Sequence, residues 1–270
     1  MTQQAERDEL NARAFLLDGD GVLYRGSTRL PGARQFIAAL RETGTPYLLL
    51  TNNATKTPEQ VADKLVGMDI AIGPQQVFTS ALATTEWLQA RYPAGTRVLP
   101  VGMFGLRTAL TDGGFALTDD HRQAELVVAA LDFELSYRSL AEAALAIRRG
   151  CPFVGTNPDK SFPSERGIEP GAGAVLALLE AATGVSPTII GKPQPGMFHQ
   201  ALAHMGTRAA ETVMVGDRYE TDILGGHNAG LRTAAVLTGI TTADEFAAAD
   251  PPATWVFPSL VELLADWRPG

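Results

Sequence analysis

Four short apolar runs, each ended by a polar residue suited to chemistry, constrain the fold of this chain most. The runs are AFLL before Asp18, PYLLL before Thr51, PTII before Gly191-Lys192 and TVMV before Gly216-Asp217. Continuous apolar runs of this length are typical of strands that are buried on both faces of a parallel sheet. The segments between them have helical patterns, so the chain is predicted to form an α/β, doubly wound, mostly parallel sheet.

The helical patterns have recognisable ends. Residues 31–43 begin with proline and stop at a glycine, residues 57–68 open with a capping-box spacing, and residues 194–205 carry an apolar stripe that ends at a glycine. Further strands are expected at residues 77–79, 233–237 and 254–257.

The stretch between Thr51 and Lys192 is too long for one crossover connection. It has strand-like runs at residues 97–101, 126–131 and 152–155, and helical patterns at residues 137–149 and 171–183. We therefore expect a smaller α/β unit, a cap domain, inserted at residues 83–186. The catalytic core domain is then formed by residues 1–82 and 187–270.

Ligands of doubly wound sheets bind beyond the carboxyl ends of the strands. The four polar ends of the apolar runs are expected to meet there in one crevice. Asp18 and Asp20 follow a buried strand, and carboxylates in such a place need a cation or a shared proton. A Mg²⁺ ion with a phosphate beside it satisfies both.

The formal net charge of −8 argues against nucleic acid or an anionic membrane as the main partner. It does not argue against a small anionic substrate, because one metal ion reverses the local field. Cys151 is the only cysteine, which excludes an internal disulfide and suits a reducing compartment. With no signal-peptide pattern and no apolar run near 18 residues, we expect a cytoplasmic protein.

Four motifs, in this order, resemble those of the haloacid dehalogenase superfamily: Asp18-Gly19-Asp20-Gly21-Val22-Leu23, Thr51-Asn52-Asn53, Gly191-Lys192-Pro193, and Gly216-Asp217 through Thr221-Asp222. The insertion, with Thr156-Asn157-Pro158-Asp159 and Pro170-Gly171-Ala172-Gly173-Ala174, is similar to the cap of the NagD-like phosphatases, subclass IIA. The resemblance spans about residues 14 to 260. It implies a Rossmann-like core and a Mg²⁺-dependent phosphatase that acts through an aspartyl-phosphate.

The resemblance also implies roles for the residues of the core. Asp18 matches the nucleophile, and Asp20 matches the general acid, which needs a raised pKa. Thr51 is expected to bind a phosphoryl oxygen, with the backbone N–H groups of Asn52 and Asn53 holding the others.

Four more positions follow from the same resemblance. Lys192 supplies positive charge to the nucleophile and the phosphate. Asp18, Asp217 and the backbone carbonyl of Asp20 are the expected Mg²⁺ ligands. Asp222 is expected to hold Lys192 or a metal-bound water, and Asp159 of the cap to contact the substrate.

Each motif also has a purely local reading. The alternatives are turns at Asp18–Asp20, at Thr51–Asn53, at Gly191–Pro193 and at Asn157–Asp159, and a helix cap at Thr221–Asp222. Gly19 departs from the family, where a larger apolar residue is common, and the lost packing is expected to loosen the strand end.

The function predicted is hydrolysis of a small organic phosphate monoester, a phosphorylated metabolite. The alternatives are a phosphotransferase or phosphomutase on the same scaffold and a phospho-accepting signalling module. In a signalling receiver, however, the order of the acidic residues and the lysine differs and the large insertion has no counterpart. The family resemblance also suggests a homodimer through the cap.

Overall fold

The computed structural model describes residues 10–164 and 166–268. The strands are β1 Ala14–Leu17, β2 Tyr24–Arg25, β3 Thr28–Arg29, β4 Tyr47–Thr51, β5 Val77–Thr79, β6 Arg97–Val101, β7 Ala116–Leu117, β8 Leu126–Ala129, β9 Phe153–Gly155, β10 Ser161–Ser164, β11 Gly167–Pro170, β12 Thr188–Ile189, β13 Thr212–Gly216, β14 Arg232–Val236 and β15 Trp255–Phe257. The α-helices are α1 Ala33–Glu42, α2 Pro58–Val66, α3 Ser80–Gln89, α4 Phe104–Asp112, α5 Tyr137–Arg148, α6 Ala172–Thr183, α7 Pro195–Met205, α8 Gly225–Asn228, α9 Ala243–Ala248 and α10 Leu260–Asp266.

The first sheet is parallel throughout and has the strand order β15-β14-β13-β1-β4-β5. The chain moves outward from β1 to β4 and β5 on one side, and from β13 to β14 and β15 on the other. The direction of winding therefore reverses between β1 and β13, which is where a doubly wound sheet binds its ligand. The predicted doubly wound α/β class is confirmed.

Both faces of this sheet are covered, which explains the continuous apolar runs. In β1, Phe15 and Leu17 pack on one face, in a cluster with Phe36 of α1 and Trp267. Leu16 points to the other face. Since successive side chains of a strand alternate between faces, a strand that is covered on both faces has a buried, apolar residue at every position.

The second sheet is also parallel and has the order β12-β9-β8-β6-β7. Its strands β6 to β9 lie in the predicted insertion, and the apolar cluster around Leu16 continues into it through Val98, Leu126 and Val128. The exact boundaries at residues 83 and 186 stay predictions.

The prediction that all four apolar runs form strands of one sheet is wrong for the PTII run. Its strand, β12, has only two residues and pairs with β9 in the second sheet. The chain then continues along the same neighbour, since the N–H groups of Ile190 and Gly191 donate to the carbonyls of Gly155 and Thr156. Periodicity cannot assign so short a strand to a sheet.

The predicted helices are confirmed, with shifted ends. The first begins at Ala33 rather than residue 31. The capping box is present at Thr57, and α7 ends at Gly206 in the left-handed conformation with φ 65°. Among the described residues, no helix is both long enough and apolar enough to cross a membrane.

Candidate active site

The carboxyl ends of β1, β4 and β13 bring three of the predicted motifs together. Asp18 follows β1, Thr51 ends β4, and Asp217 follows β13. These side chains line one cavity of about 210 Å³, together with Asp20, Asn52, Asn53, Asn157, Asp159, Lys192 and Asp222. All the predicted site residues therefore meet at one place, while their chemical roles stay predictions.

Lys192 is the buried cation of the cavity, with only 2% of its side chain exposed. Its Nζ atom donates to Asp18 Oδ1 and to Asp222 Oδ1, each at 2.7 Å. A buried ammonium is stable only when it is paired and hydrogen-bonded, and here two carboxylates satisfy it. The lysine reaches the first sheet although its backbone follows β12 of the second.

The pKa values of the cluster are set by two opposing effects, which are burial of the charged groups and attraction between opposite charges. Burial alone would lower the pKa of Lys192, but the attraction of Asp18 and Asp222 raises it above its ordinary value. Burial raises the pKa of Asp18 and of Asp217, and Lys192 opposes both shifts. Lys192 alone thus leaves the cluster short of positive charge.

The oxygens that remain free are those a cation could use. Carboxylate oxygens, one each from Asp18, Asp217 and Asp222, lie within 4.8 Å of one another. Asp222 uses both of its oxygens, for Lys192 Nζ and for the N–H of Arg218. In the described part of the chain, no hydrogen bond is made to Asp18 Oδ2 or Asp217 Oδ1. Hard oxygen donors of this kind fit Mg²⁺.

Close backbone approaches fix Asp217 and Asp222. A Cβ atom on Gly216 would lie 2.1 Å from Asp222 Cβ, so only glycine fits there. Asp222 itself lies in a π-helical turn, Tyr219–Leu224, a rare geometry that is frequent at functional sites. Asp217 Oδ2 accepts the N–H of Ile240 at 2.8 Å.

Thr51 and Asn53 form a compact turn after β4. Thr51 is 8% exposed, and its Oγ1 accepts the N–H of Asn53 at 3.1 Å. Binding of a phosphoryl oxygen at this N–H therefore requires the donor to change partner. Asn53 Oδ1 accepts both the N–H and the hydroxyl of Thr55, which fixes the turn.

Asn52 uses its side chain differently from the expectation, which concerned its backbone N–H. Its Oδ1 accepts the N–H of Lys192 at 2.9 Å, and its Nδ2 donates to the carbonyl of Lys192 and to Asp159 Oδ2, each at 3.0 Å. Its carbonyl accepts from Asn157 Nδ2 at 2.8 Å. Asn52 thus connects the first sheet, to which it belongs, with Asp159 and Asn157 of the insertion and with the backbone of Lys192.

Asp20 and Gly19 form the turn after β1. Burial raises the pKa of Asp20, and the nearby Lys64 ammonium opposes this. The ring of Tyr24 fills the space beside Gly19, so the expected loss of packing is absent there, and a looser strand end stays a prediction. Tyr24 is 7% exposed, and its Oη lies 2.9 Å from where a Cβ of residue 19 would stand.

Sequence reasoning missed several residues of the cavity: Tyr24, Lys64, Leu131, Phe133, Phe162 and Arg218. Arg218 could have been found from its place directly after Asp217. Phe133 lies in a loop before α5 and Phe162 in strand β10, their rings lie 6.0 Å apart, and no motif marks them.

Comparison with known families agrees with this geometry. Residues 15–116 match the family model described as haloacid dehalogenase-like hydrolase, and residues 189–263 match the model described as HAD-hydrolase-like. The two matches include the segments that carry Asp18, Thr51, Lys192 and Asp217.

Individual relatives extend the match over most of the chain. An acid sugar phosphatase of Staphylococcus aureus is 44% identical over 254 residues, which is 94% of this chain and 97% of the relative. The structure of a glycerol phosphate phosphatase of Mycobacterium tuberculosis in complex with magnesium has a TM-score of 0.89 at 34% identity, covering 94% of this chain and 76% of that one. NagD of Escherichia coli K-12 has a TM-score of 0.87 at 32% identity, covering 94% and 98%.

A parallel sheet with a carboxylate and lysine cluster at its switch point, and these matches, define the class: the chain belongs to the haloacid dehalogenase-like hydrolases. Among them it is a NagD-like phosphatase, an enzyme that hydrolyses phosphate monoesters.

Proposed function

We propose that this phosphatase hydrolyses a small phosphorylated metabolite through an aspartyl-phosphate on Asp18, with Mg²⁺ as cofactor. The observation that carries the proposal is the cluster of Asp18, Asp217, Asp222 and Lys192 at the ends of two neighbouring strands. A cavity of about 210 Å³ supports a small substrate.

In the first step, a carboxylate oxygen of Asp18 attacks the phosphorus atom and the bond to the ester oxygen breaks. Asp20 donates its proton to the leaving oxygen, a role that the raised pKa of this carboxyl supports. Lys192 Nζ, 2.7 Å from Asp18 Oδ1, stabilises negative charge beside the nucleophile.

In the second step, Asp20 accepts a proton from a water molecule, whose oxygen attacks the same phosphorus atom. The bond between phosphorus and Asp18 breaks, inorganic phosphate leaves, and the Asp18 carboxylate is restored. Thr51 and the N–H groups of Asn52 and Asn53 bind the phosphoryl oxygens in both steps.

Asp18, Asp217 and the carbonyl of Asp20 would hold the Mg²⁺ ion. When bound, the ion would neutralise the charge of the carboxylates and the phosphate, so that an anion can approach an anion. The free Asp18 Oδ2 and Asp217 Oδ1 support this ligand set, and the magnesium in the mycobacterial relative's structure supports the choice of metal. Asp222 positions Lys192 rather than the ion, since both of its oxygens are used.

The test is release of inorganic phosphate from a panel of phosphate esters with Mg²⁺. Asp18→Asn should abolish turnover, because an amide is not a nucleophile toward phosphorus, while exposed Asp112→Asn should keep it. Unchanged turnover in Asp18→Asn would refute the covalent route. Acid-quench trapping of ³²P-labelled protein during turnover detects the aspartyl-phosphate directly.

The same assay separates the alternatives from hydrolysis. A phosphotransferase or phosphomutase would pass the phosphoryl group to an added alcohol or sugar phosphate in preference to water. A phospho-accepting signalling module would retain one phosphoryl group per chain, whereas an enzyme releases many.

Three further expectations also stay proposals. The absence of nucleic acid and membrane partners rests on the net charge of −8, and the cytoplasmic location on the single cysteine. A homodimer through the cap is supported by the exposed Leu145 and Leu178 on α5 and α6. Sedimentation velocity tests the dimer, with Leu145→Glu as the disrupting variant.

A further inference from the structure

We propose that Asp159 is a positioning residue that holds Lys192 in register with the core through Asn52 and Arg218 of the core, rather than a residue that contacts the leaving group. This inference rests on the proposed function, since it concerns the same reaction. In this proposal, the carboxylate of Asp159, which belongs to the insertion, connects the second sheet to the residues of the first sheet at the active site.

Both carboxylate oxygens of Asp159 face residues of the core. Oδ2 accepts Asn52 Nδ2 at 3.0 Å, and Oδ1 lies 3.7 Å from the guanidinium of Arg218. The two side chains of the ion pair are 23% and 21% exposed, so the pair is shielded from water and weakly screened by salt. Burial raises the pKa of Asp159, and Asn52 and Arg218 oppose this shift, as expected for partners of its charged form.

Asn52 transmits this contact to the catalytic lysine. The Nδ2 that binds Asp159 also donates to the carbonyl of Lys192, and Oδ1 accepts the N–H of the same residue. An amide held at both ends has one orientation, because rotating it would place two donors or two acceptors against each other. Asp159 therefore adds a third hydrogen bond that holds Asn52 in this orientation, and Asn52 fixes the backbone of Lys192.

In the described part of the chain, the backbone N–H and carbonyl of Lys192 are hydrogen-bonded to Asn52 and to no other residue of the first sheet. Lys192 follows Gly191, whose N–H donates to the carbonyl of Thr156 in the insertion at 2.8 Å. A Cβ on Gly191 would lie 2.4 Å from that carbonyl and 2.7 Å from Asn52 Oδ1, so the three segments are in close contact. A loosened Asn52 thus lets the lysine move with the insertion rather than with Asp18.

Arg218 receives the second contact of Asp159. Its guanidinium faces Asp159, while its backbone N–H donates to Asp222 Oδ2 at 3.2 Å and Asp222 Oδ1 accepts Lys192 Nζ. Asp159 is thus connected to Lys192 through Asn52, and its second contact is with the side chain of the residue whose backbone N–H holds Asp222. Since Lys192 acts on the phosphoryl group of every substrate, loss of Asp159 should affect all leaving groups equally.

The experiment compares Asp159→Ala, Asp159→Asn and wild type on p-nitrophenyl phosphate, glycerol phosphate and a hexose phosphate. We expect kcat of Asp159→Ala to fall by the same factor, roughly 10- to 100-fold, on all three, the loss typical of one hydrogen bond to a charged group, with KM little changed. Asp159→Asn keeps an oxygen for Asn52 Nδ2 and should recover part of kcat. Asp159→Ala combined with Asn52→Ala should lose less than the product of the two single losses.

The matched control is Asp119→Ala. It removes a carboxylate of the insertion that also lies 3.7 Å from an arginine, Arg107, but is 86% exposed, so kcat should not change. A loss in Asp159→Ala that depends on the leaving group, or appears in KM alone, would overturn the positioning role and favour substrate contact. An unchanged kcat would overturn it too.

A second measurement needs no turnover. Hydrogen–deuterium exchange at the amides of Gly191 and Lys192 should accelerate in Asp159→Ala and stay at the wild-type rate in Asp119→Ala. Unchanged exchange would refute the inference even if the protein proved inactive on every ester. If the wild type proved inactive on every ester while exchange was still faster in Asp159→Ala than in wild type, only the proposed function would be refuted.

Discussion

Replacing Lys192 by Met tests how the buried charges of the active site are balanced. Met keeps the apolar stem and removes the ammonium that lies 2.7 Å from both Asp18 and Asp222. The variant leaves buried carboxylates, with side chains 15% and 1% exposed, without their counter-charge. Removing one partner of a buried ion pair typically costs about 3–5 kcal/mol of the free energy of unfolding.

For a protein of this size, each kcal/mol corresponds to about 2–4 °C in Tm, so Tm should fall by roughly 6–20 °C in a chelating buffer. Added Mg²⁺ should raise the Tm of Lys192→Met by more than that of wild type, because removal of a positive charge favours a cation at the carboxylates. Turnover should nevertheless be lost, since the phosphoryl group has no ammonium beside it.

The assay is thermal unfolding of both proteins with and without Mg²⁺, with exposed Lys160→Met as the control. A Tm of Lys192→Met within about 2 °C of wild type in chelator would refute the reasoning, because such a shift is at most about 1 kcal/mol. An equal Mg²⁺ response in the two proteins would refute the proposed metal position.

Two further predictions concern glycines. Gly239→Ala should abolish the Mg²⁺-induced rise in Tm, because its Cβ would lie 1.8 Å from Asp217 Oδ2. The control is Gly196→Ala on α7, whose Cβ would meet nothing within 4 Å, so the rise should be unchanged. An unchanged rise in both variants would contradict the assignment of Asp217 as a metal ligand. Gly19→Ala should lower the free energy of unfolding by about 1–3 kcal/mol in denaturant titration, through overpacking against Tyr24. Adding Tyr24→Phe, which removes the oxygen 2.9 Å away, should recover part of this loss, and no recovery would place the strain elsewhere.

The sequence predicted the elements that have a strong local pattern. AFLL and TVMV become β1 and β13 because a strand that is covered on both faces must be apolar at every position. The capping box at Thr57 sets the start of α2 through its own side chain, so it needs no distant partner.

The features that were missed depend on distant partners. Asp159 meets Asn52 across 107 positions of the chain, and no local spacing reveals such a contact. Tyr24 is only five residues from Gly19, but it fills the space beside that glycine only because the chain turns back after β1, which the sequence pattern does not show. The sheet that β12 joins is decided by its pairing with Val154 and Gly155 of β9, not by the apolar run itself.

The hydrogen bond from Gly191 to Thr156 has a consequence for the exchange of inserted units between relatives. Lys192 is anchored partly by the insertion, so a chimera that takes the insertion from another parent also replaces one support of its own lysine. Crossover points that keep residues 155–159 and 190–192 from a single parent preserve this anchor. Recombination within these segments should yield folded but inactive hybrids, and recombination outside them should change substrate preference alone.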